Sequence, residues 1–199
     1  MTDLPSKIYL IDANEDLIRA WEALFSDWDS VQVVHGDFFS IPADAMVSPA
    51  NSFGYMDGGL DLAIRYELGE IVEERVQATI LKKHHGELPV GVAEIVETGN
   101  GNWPFLVCAP TMRVPLDISH TLNAYLAFRA ILLEVVNFNK LGERRIDSLV
   151  CPGLGTGVGR LSAKRCAEQM RAAYYNVSNS AKIPGFNEAR NTDKALKNA

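Results

Sequence analysis

Apolar and polar positions alternate in short blocks along the chain, and the spacing changes from block to block. Residues 8–12 form a brief apolar run that predicts a strand. Between residues 14 and 25, Leu17, Ala20, Trp21 and Leu24 recur three or four apart, the signature of a helix with one buried face, with Asn14 or Asp12 as its cap. Val31–His35 and Ala45–Ser48 read as further strands. From residue 61 to 85, Ile71, Val72, Val76, Ile80 and Leu81 draw a helical stripe, which Gly69 divides into two helices. Residues 92–97 and 105–109 predict a strand pair joined across Gly99, Asn100, Gly101 and Asn102, residues that suit a turn. The longest helix runs from about residue 121 to 141, with Ser119 as cap and Gly142 as stop. Ser148–Cys151 is a buried type of strand, and Ser162 opens a last strong helix with Cys166, Met170, Ala173 and Tyr174 on one face. Beyond Ala181 the periodicity fades, Pro184 and Gly185 mark a break, and the end is expected to fray.

Helices between apolar strands predict a mixed, mostly parallel sheet covered on both faces, a three-layer α/β/α sandwich. A length of 199 residues suits one domain, expected over residues 1–183 with a polar tail over 184–199. Such sheets bind ligands beyond the carboxyl ends of their strands, so the segments that follow Ser48 and Cys151 are the places to look.

Composition narrows the chemistry. Hydrophobic residues make up 47% and charged residues 22%, as in globular proteins, and the net charge of −6 argues against a general electrostatic grip on nucleic acid. A small anion is still accessible to an acidic protein, because backbone amides can hold it. The first residues lack the apolar core of a signal peptide, and no apolar run approaches the roughly 20 residues of a membrane span, which fits a cytoplasmic protein. Cys108, Cys151 and Cys166 are odd in number and without CxxC spacing, so they read as small buried hydrophobes and neither a disulfide framework nor a metal site is expected. A thiol nucleophile at Cys151 would need a His partner that the sequence does not supply. His84 and His85, late in a helix, read as solvated histidines facing its dipole, and His35 as structural. Arg113, Arg144 and Arg145 read as surface charges.

Two strand-to-helix loops hold more glycine than a turn requires. The first carries Asn51, Gly54, Gly58, Gly59 and Asp61; the second runs Pro152-Gly153-Leu154-Gly155-Thr156-Gly157-Val158-Gly159. In both, backbone N–H groups and a helix N-terminus can converge on an anion, provided no side chain bars the approach. Neither familiar phosphate loop fits. A P-loop needs a lysine and a hydroxyl that no register through residues 153–162 provides. In the dinucleotide pattern G-x-G-x-x-G, the last glycine would fall on Arg160 or Ser162.

The ordered segments V-V-H-G-D-F-F, D-A-M-V-S-P-A-N, D-G-G-L-D-L-A-I and C-P-G-L-G-T-G-V-G instead resemble the macro domain family, from Val33 to about Tyr174. The resemblance implies an ADP-ribose site. Asp37 would accept from the adenine amino group, with Phe38 beside the base. Gly58, Gly59 and Leu60 would offer amides to the diphosphate from one side, and Gly155, Thr156, Gly157, Val158 and Gly159 would close over it from the other. Asn51 would bond the distal ribose, and Asp61, ten positions on, would orient or deprotonate a water there; capping a helix is the plainer role for that Asp. Three departures stand out: Ser48 replaces the first Asn of the family's N-A-A-N, the first loop has two adjacent glycines rather than three or four, and Gly159 replaces an aromatic residue, leaving that task to Tyr55, Phe53 or Met112.

The implied activity is hydrolysis of ADP-ribose derivatives at the distal ribose, as a mono-ADP-ribosyl hydrolase or an ADP-ribose 1″-phosphate phosphatase, without metal or other cofactor. The alternative is a reader that binds ADP-ribose, free or on a modified partner, without chemistry; an RNA binder is the third reading, disfavoured by the acidic charge.

Overall fold

The computed structural model describes residues 3–142 and 144–198; Met1 and Thr2 of the polar N-terminal stretch, Glu143 and Ala199 lie outside them. Six strands form one sheet: β1 (Lys7–Asp12), β2 (Val31–His35), β3 (Ala45–Ser48), β4 (Glu94–Glu97), β5 (Phe105–Cys108) and β6 (Ser148–Cys151). Their spatial order is β2-β1-β6-β3-β5-β4, and every neighbour pair is parallel except β4 with β5. The helices are α1 (Glu15–Phe25), α2 (Gly59–Leu68), α3 (Ile71–His84), α4 (Asn123–Leu141), α5 (Ala163–Ser178) and α6 (Phe186–Asn198), and a 3-10 turn spans Phe38–Ser40. The three-layer sandwich expected from the alternation is the observed fold.

Strand pleating divides the core in two. Ala45, Val47, Phe105, Val107, Leu149 and Cys151 point to the face covered by α1, α4 and α5. Met46, Leu106, Cys108 and Val150 point to the other, against Ile64 and Leu68 of α2 and Val72, Val76 and Ile80 of α3. Strands β3 and β6 are neighbours, but the helices that follow them, α2 and α5, lie on opposite faces. That reversal opens a crevice at the carboxyl edge of the sheet, where open α/β folds take their ligands.

Local signals held at most ends. Asn14 caps α1, accepting from the amides of Asp16 and Leu17; Ser162 caps α5, Gly69 separates α2 from α3 at φ 91°, and Gly142 ends α4. Four expectations need correction. Ser119 does not cap α4, whose N-cap position is Leu122; its amide instead bonds Asp117, and Thr121 Oγ1 accepts from Asn123 N. Ile71 and Leu81 are exposed, since the buried stripe of α3 is the narrower Val72, Val76, Ile80 set. His84 is not a solvated histidine: its Nε2 lies 2.7 Å from Glu94 Oε1, which ties α3 to the edge strand. The polar end does not fray but forms α6, which buries no residue completely and meets the domain through Gln169 Nε2, donating to Leu196 O at 3.3 Å. Its apolar positions, Phe186, Ala189, Ala195 and Leu196, are few and stand among charged and amide side chains.

Candidate functional site

Five strand ends supply one cavity of about 480 Å³ at the crevice. Asp12 closes β1, Gly36 and Asp37 follow β2, Asn51 to Asp61 follow β3, Thr111 and Met112 follow β5, and Gly153 to Gly159 follow β6. The volume is within the range for a small-molecule site. Every residue expected to bind or react lines it: Asp37, Phe38, Asn51, Gly58, Gly59, Leu60, Asp61, Gly155, Thr156, Gly157, Val158 and Gly159.

Two sets of backbone donors meet there. Gly58 is the N-cap of α2, so the N–H groups of Gly59, Leu60 and Asp61 fall in the first turn, where no helical acceptor exists. Opposite, the amides of Thr156, Gly157, Val158 and Gly159 donate to no protein acceptor among the described residues, while Arg160 N and Leu161 N return to the oxygens of Gly157 and Gly155. The second loop is therefore closed on itself with its outer amides left over.

Packing requires three of its four glycines, Gly153, Gly155 and Gly159. A Cβ on Gly155, which sits at φ +73°, would meet Ile118 Cδ1 at 2.5 Å, and one on Gly159 would meet Gly155 O at 2.5 Å; at Gly157 it would meet nothing within 4 Å. The aromatic missing from position 159 is thus excluded by the loop's own backbone. Of the stand-ins, Tyr55 and Met112 line the cavity and Phe53 lines a hollow beside it.

Asp61 departs from its plainer role. It lies three residues inside α2 rather than at the cap, and its Oδ1 accepts a 2.6 Å hydrogen bond from Ser48 Oγ. Ser48 is 1% exposed, so the residue that breaks the family pattern holds the carboxylate. Burial pushes the Asp61 carboxyl up to about 6, offset in part by the Ser48 hydrogen bond and reinforced by the charge of Asp57.

Asn51 is more committed than expected. Its Oδ1 accepts from the amides of Phe53 and Tyr55, and its Nδ2 donates to Tyr55 O at 2.7 Å, so both ends shape the loop and one N–H remains. Asp37 caps the 3-10 turn through Phe39 N, leaving a second carboxylate oxygen uncommitted. Asp12 was missed as a site residue: Oδ1 accepts from Asn14 N and Oδ2 from Gly153 N at 3.2 Å, fastening the second loop to β1. An acid at a strand's carboxyl end is the signal that could have found it. The cysteines are fully buried and burial raises each thiol, so Cys151 is no nucleophile. Arg113, Arg144 and Arg145 are exposed surface charges, as expected, and each is ion-paired, with Glu87, with Glu97, and with Asp3 and Asp147 respectively. Among the described residues no group of three or more His, Cys, Asp and Glu side chains is placed to hold a metal, and no helix is long and apolar enough to cross a membrane.

The chain belongs to the macro domain family, whose model matches residues 47–170. An uncharacterized protein of Aeropyrum pernix is 34% identical over 140 residues, 69% of this chain and 67% of that one. Among solved structures, the macrodomain of Mycobacterium tuberculosis DarG superposes with a TM-score of 0.59 at 18% identity, covering 76% of this chain and 96% of that one. Thermosipho africanus DarTG in complex with ADP-ribose gives a TM-score of 0.56 at 19% identity over 96% of this chain and 57% of that one.

Proposed function

We propose that the chain binds ADP-ribose in this cavity and hydrolyses ADP-ribose derivatives at the distal ribose. Adenine lies against Phe38 with its amino group donating to Asp37, and the diphosphate lies between the two sets of amides. Gly58, Gly59 and Leu60 serve one side and Gly155 to Gly159 the other, where dipoles and unpaired donors favour negative charge. The distal ribose comes to Asn51 and Asp61, the catalytic pair. The domain responsible is residues 1–183, with the remaining polar residues as an accessory tail.

The observation that carries this reading is Asp61: a carboxylate fixed by a buried serine, lining the cavity beside bare amides, with an affinity for protons suited to a general base. Ionised at neutral pH, it takes a proton from a water as the water oxygen bonds C1″; the bond from C1″ to the attached group breaks and the electron pair leaves with that group. The amides hold the rest of the ligand still and supply no chemistry. A reader without turnover is the second reading, favoured by the commitment of Asn51 to its own loop.

Calorimetry with ADP-ribose, AMP and NAD tests the ligand; tight binding of ADP-ribose alone is expected. Asp61→Ala should lower turnover of an ADP-ribosylated substrate by about 100-fold or more with ADP-ribose affinity nearly intact. Full activity in that variant would remove the assigned role, and wild-type protein that binds but turns over nothing would establish the reader.

A further inference from the structure

Beside the main cavity lies a second hollow of about 250 Å³, lined by Asn51, Phe53, Tyr55, Asp57, Val114 and Pro115. Four of these residues also line the main cavity, so the two volumes adjoin at Asn51, Tyr55, Asp57 and Pro115. On the reading above, Asn51 marks the distal ribose, and the group attached at C1″ enters the hollow. The inference rests on that reading and extends it to the identity of that group.

The hollow has flat apolar walls and one charge. The Phe53 and Tyr55 rings stand 6.2 Å apart at 42°, and Tyr55 and Val114 are 54% and 43% exposed, so a side chain on a macromolecule can reach in. Asp57 is exposed and makes no hydrogen bond or ion pair among the described residues. Arg113, which lies over the Phe53 ring, is already paired with Glu87 by two bonds at 2.8 and 2.9 Å. Its guanidinium carbon lies 5.0 Å from the Phe53 centroid, so this ring already serves as a platform for a guanidinium.

We infer that the hollow holds the guanidinium of an arginine side chain carrying ADP-ribose, stacked on the aromatic walls and paired with Asp57. A planar, weakly hydrated cation matches both features. A lysine ammonium is compact and strongly hydrated, and gains less from the rings. A 1″-phosphate brings like charge to Asp57, and a carboxyl ester develops it as the bond breaks. A serine-linked conjugate offers the carboxylate nothing.

The test compares sequence-matched peptides ADP-ribosylated on arginine, serine or glutamate with free ADP-ribose, by fluorescence competition on Asp61→Ala protein, which leaves the conjugates uncleaved. The arginine conjugate should bind about tenfold tighter than free ADP-ribose. Asp57→Asn should bring that ratio close to one, Asp57→Glu should keep most of it, and Tyr55→Ala should reduce it. An arginine conjugate no tighter than ADP-ribose, or weaker than the serine or glutamate conjugate, overturns the inference while the main site stands. If ADP-ribose itself fails to bind, both readings fall.

Discussion

The two glycine-bearing loops flank one cavity but are built by different means. The loop after β3 is held by side chains: Asn51 spends its amide on residues 53 and 55, and Glu73 accepts from Met56 N at 3.1 Å. The loop after β6 is held at its start by Asp12 and beyond that by backbone bonds and by Ile118, which occupies the space that side chains at positions 155 and 159 would need. A loop braced by side chains can present charged groups at set positions, and this one carries Asp57 and Asp61. A loop closed by its own backbone has no room for side chains at positions 155 and 159, and this one carries no charged group from Gly153 to Gly159. On the proposed reading both loops offer amides to the diphosphate, while the acidic groups come from the first loop alone.

The most damaging way to break the division is to put a side chain where the backbone closes. Gly159→Tyr, which restores the family's residue type, should unseat the second loop, cost at least about 2 kcal/mol of stability and reduce ADP-ribose affinity by about 100-fold, read by denaturation and calorimetry. Gly157→Ala sharpens the contrast. Its Cβ meets no protein atom, so stability should hold within about 0.5 kcal/mol. Affinity should still fall about tenfold, because the methyl group stands where the diphosphate approaches. Unchanged binding in this variant would mean that the second loop does not face the ligand.

On the other side, Asp61 should weigh on the fold. Its carboxyl is raised from 3.8 to about 6, so the native state binds the proton more tightly than the unfolded chain does. The stabilising effect of that proton is complete below about pH 4 and lost as pH rises through 6. Asp61→Asn should therefore be more stable than wild type by about 2 kcal/mol at pH 8, with the difference vanishing below about pH 4. Ser48→Ala gives the smallest change. Without its donor the carboxyl rises further, and the acid limb of the pH–rate profile should move above its wild-type position near 6, with turnover at pH 6 down a few-fold. An unmoved limb would show that another group sets it.

The alternation of apolar blocks was enough to place six strands and five of the six helices, because burying one face of each leaves a periodic trace. The order of four short motifs was enough to draw the candidate residues to one edge of the sheet. What lay outside the sequence was each residue's partner. Ser48 reads as a lost asparagine until pleating turns it, with Met46, toward α2 and within reach of Asp61. Gly159 reads as a lost aromatic until Ile118, more than forty positions away, is found in its space. The hollow beside Asp57 has walls from two strand ends that adjoin only in the folded sheet. Periodicity and capping are set by neighbours a few residues apart and are written along the chain. The proton affinity of Asp61, the closure of the second loop and the shape of the cavity depend on contacts between distant segments, and only the packed structure determines them.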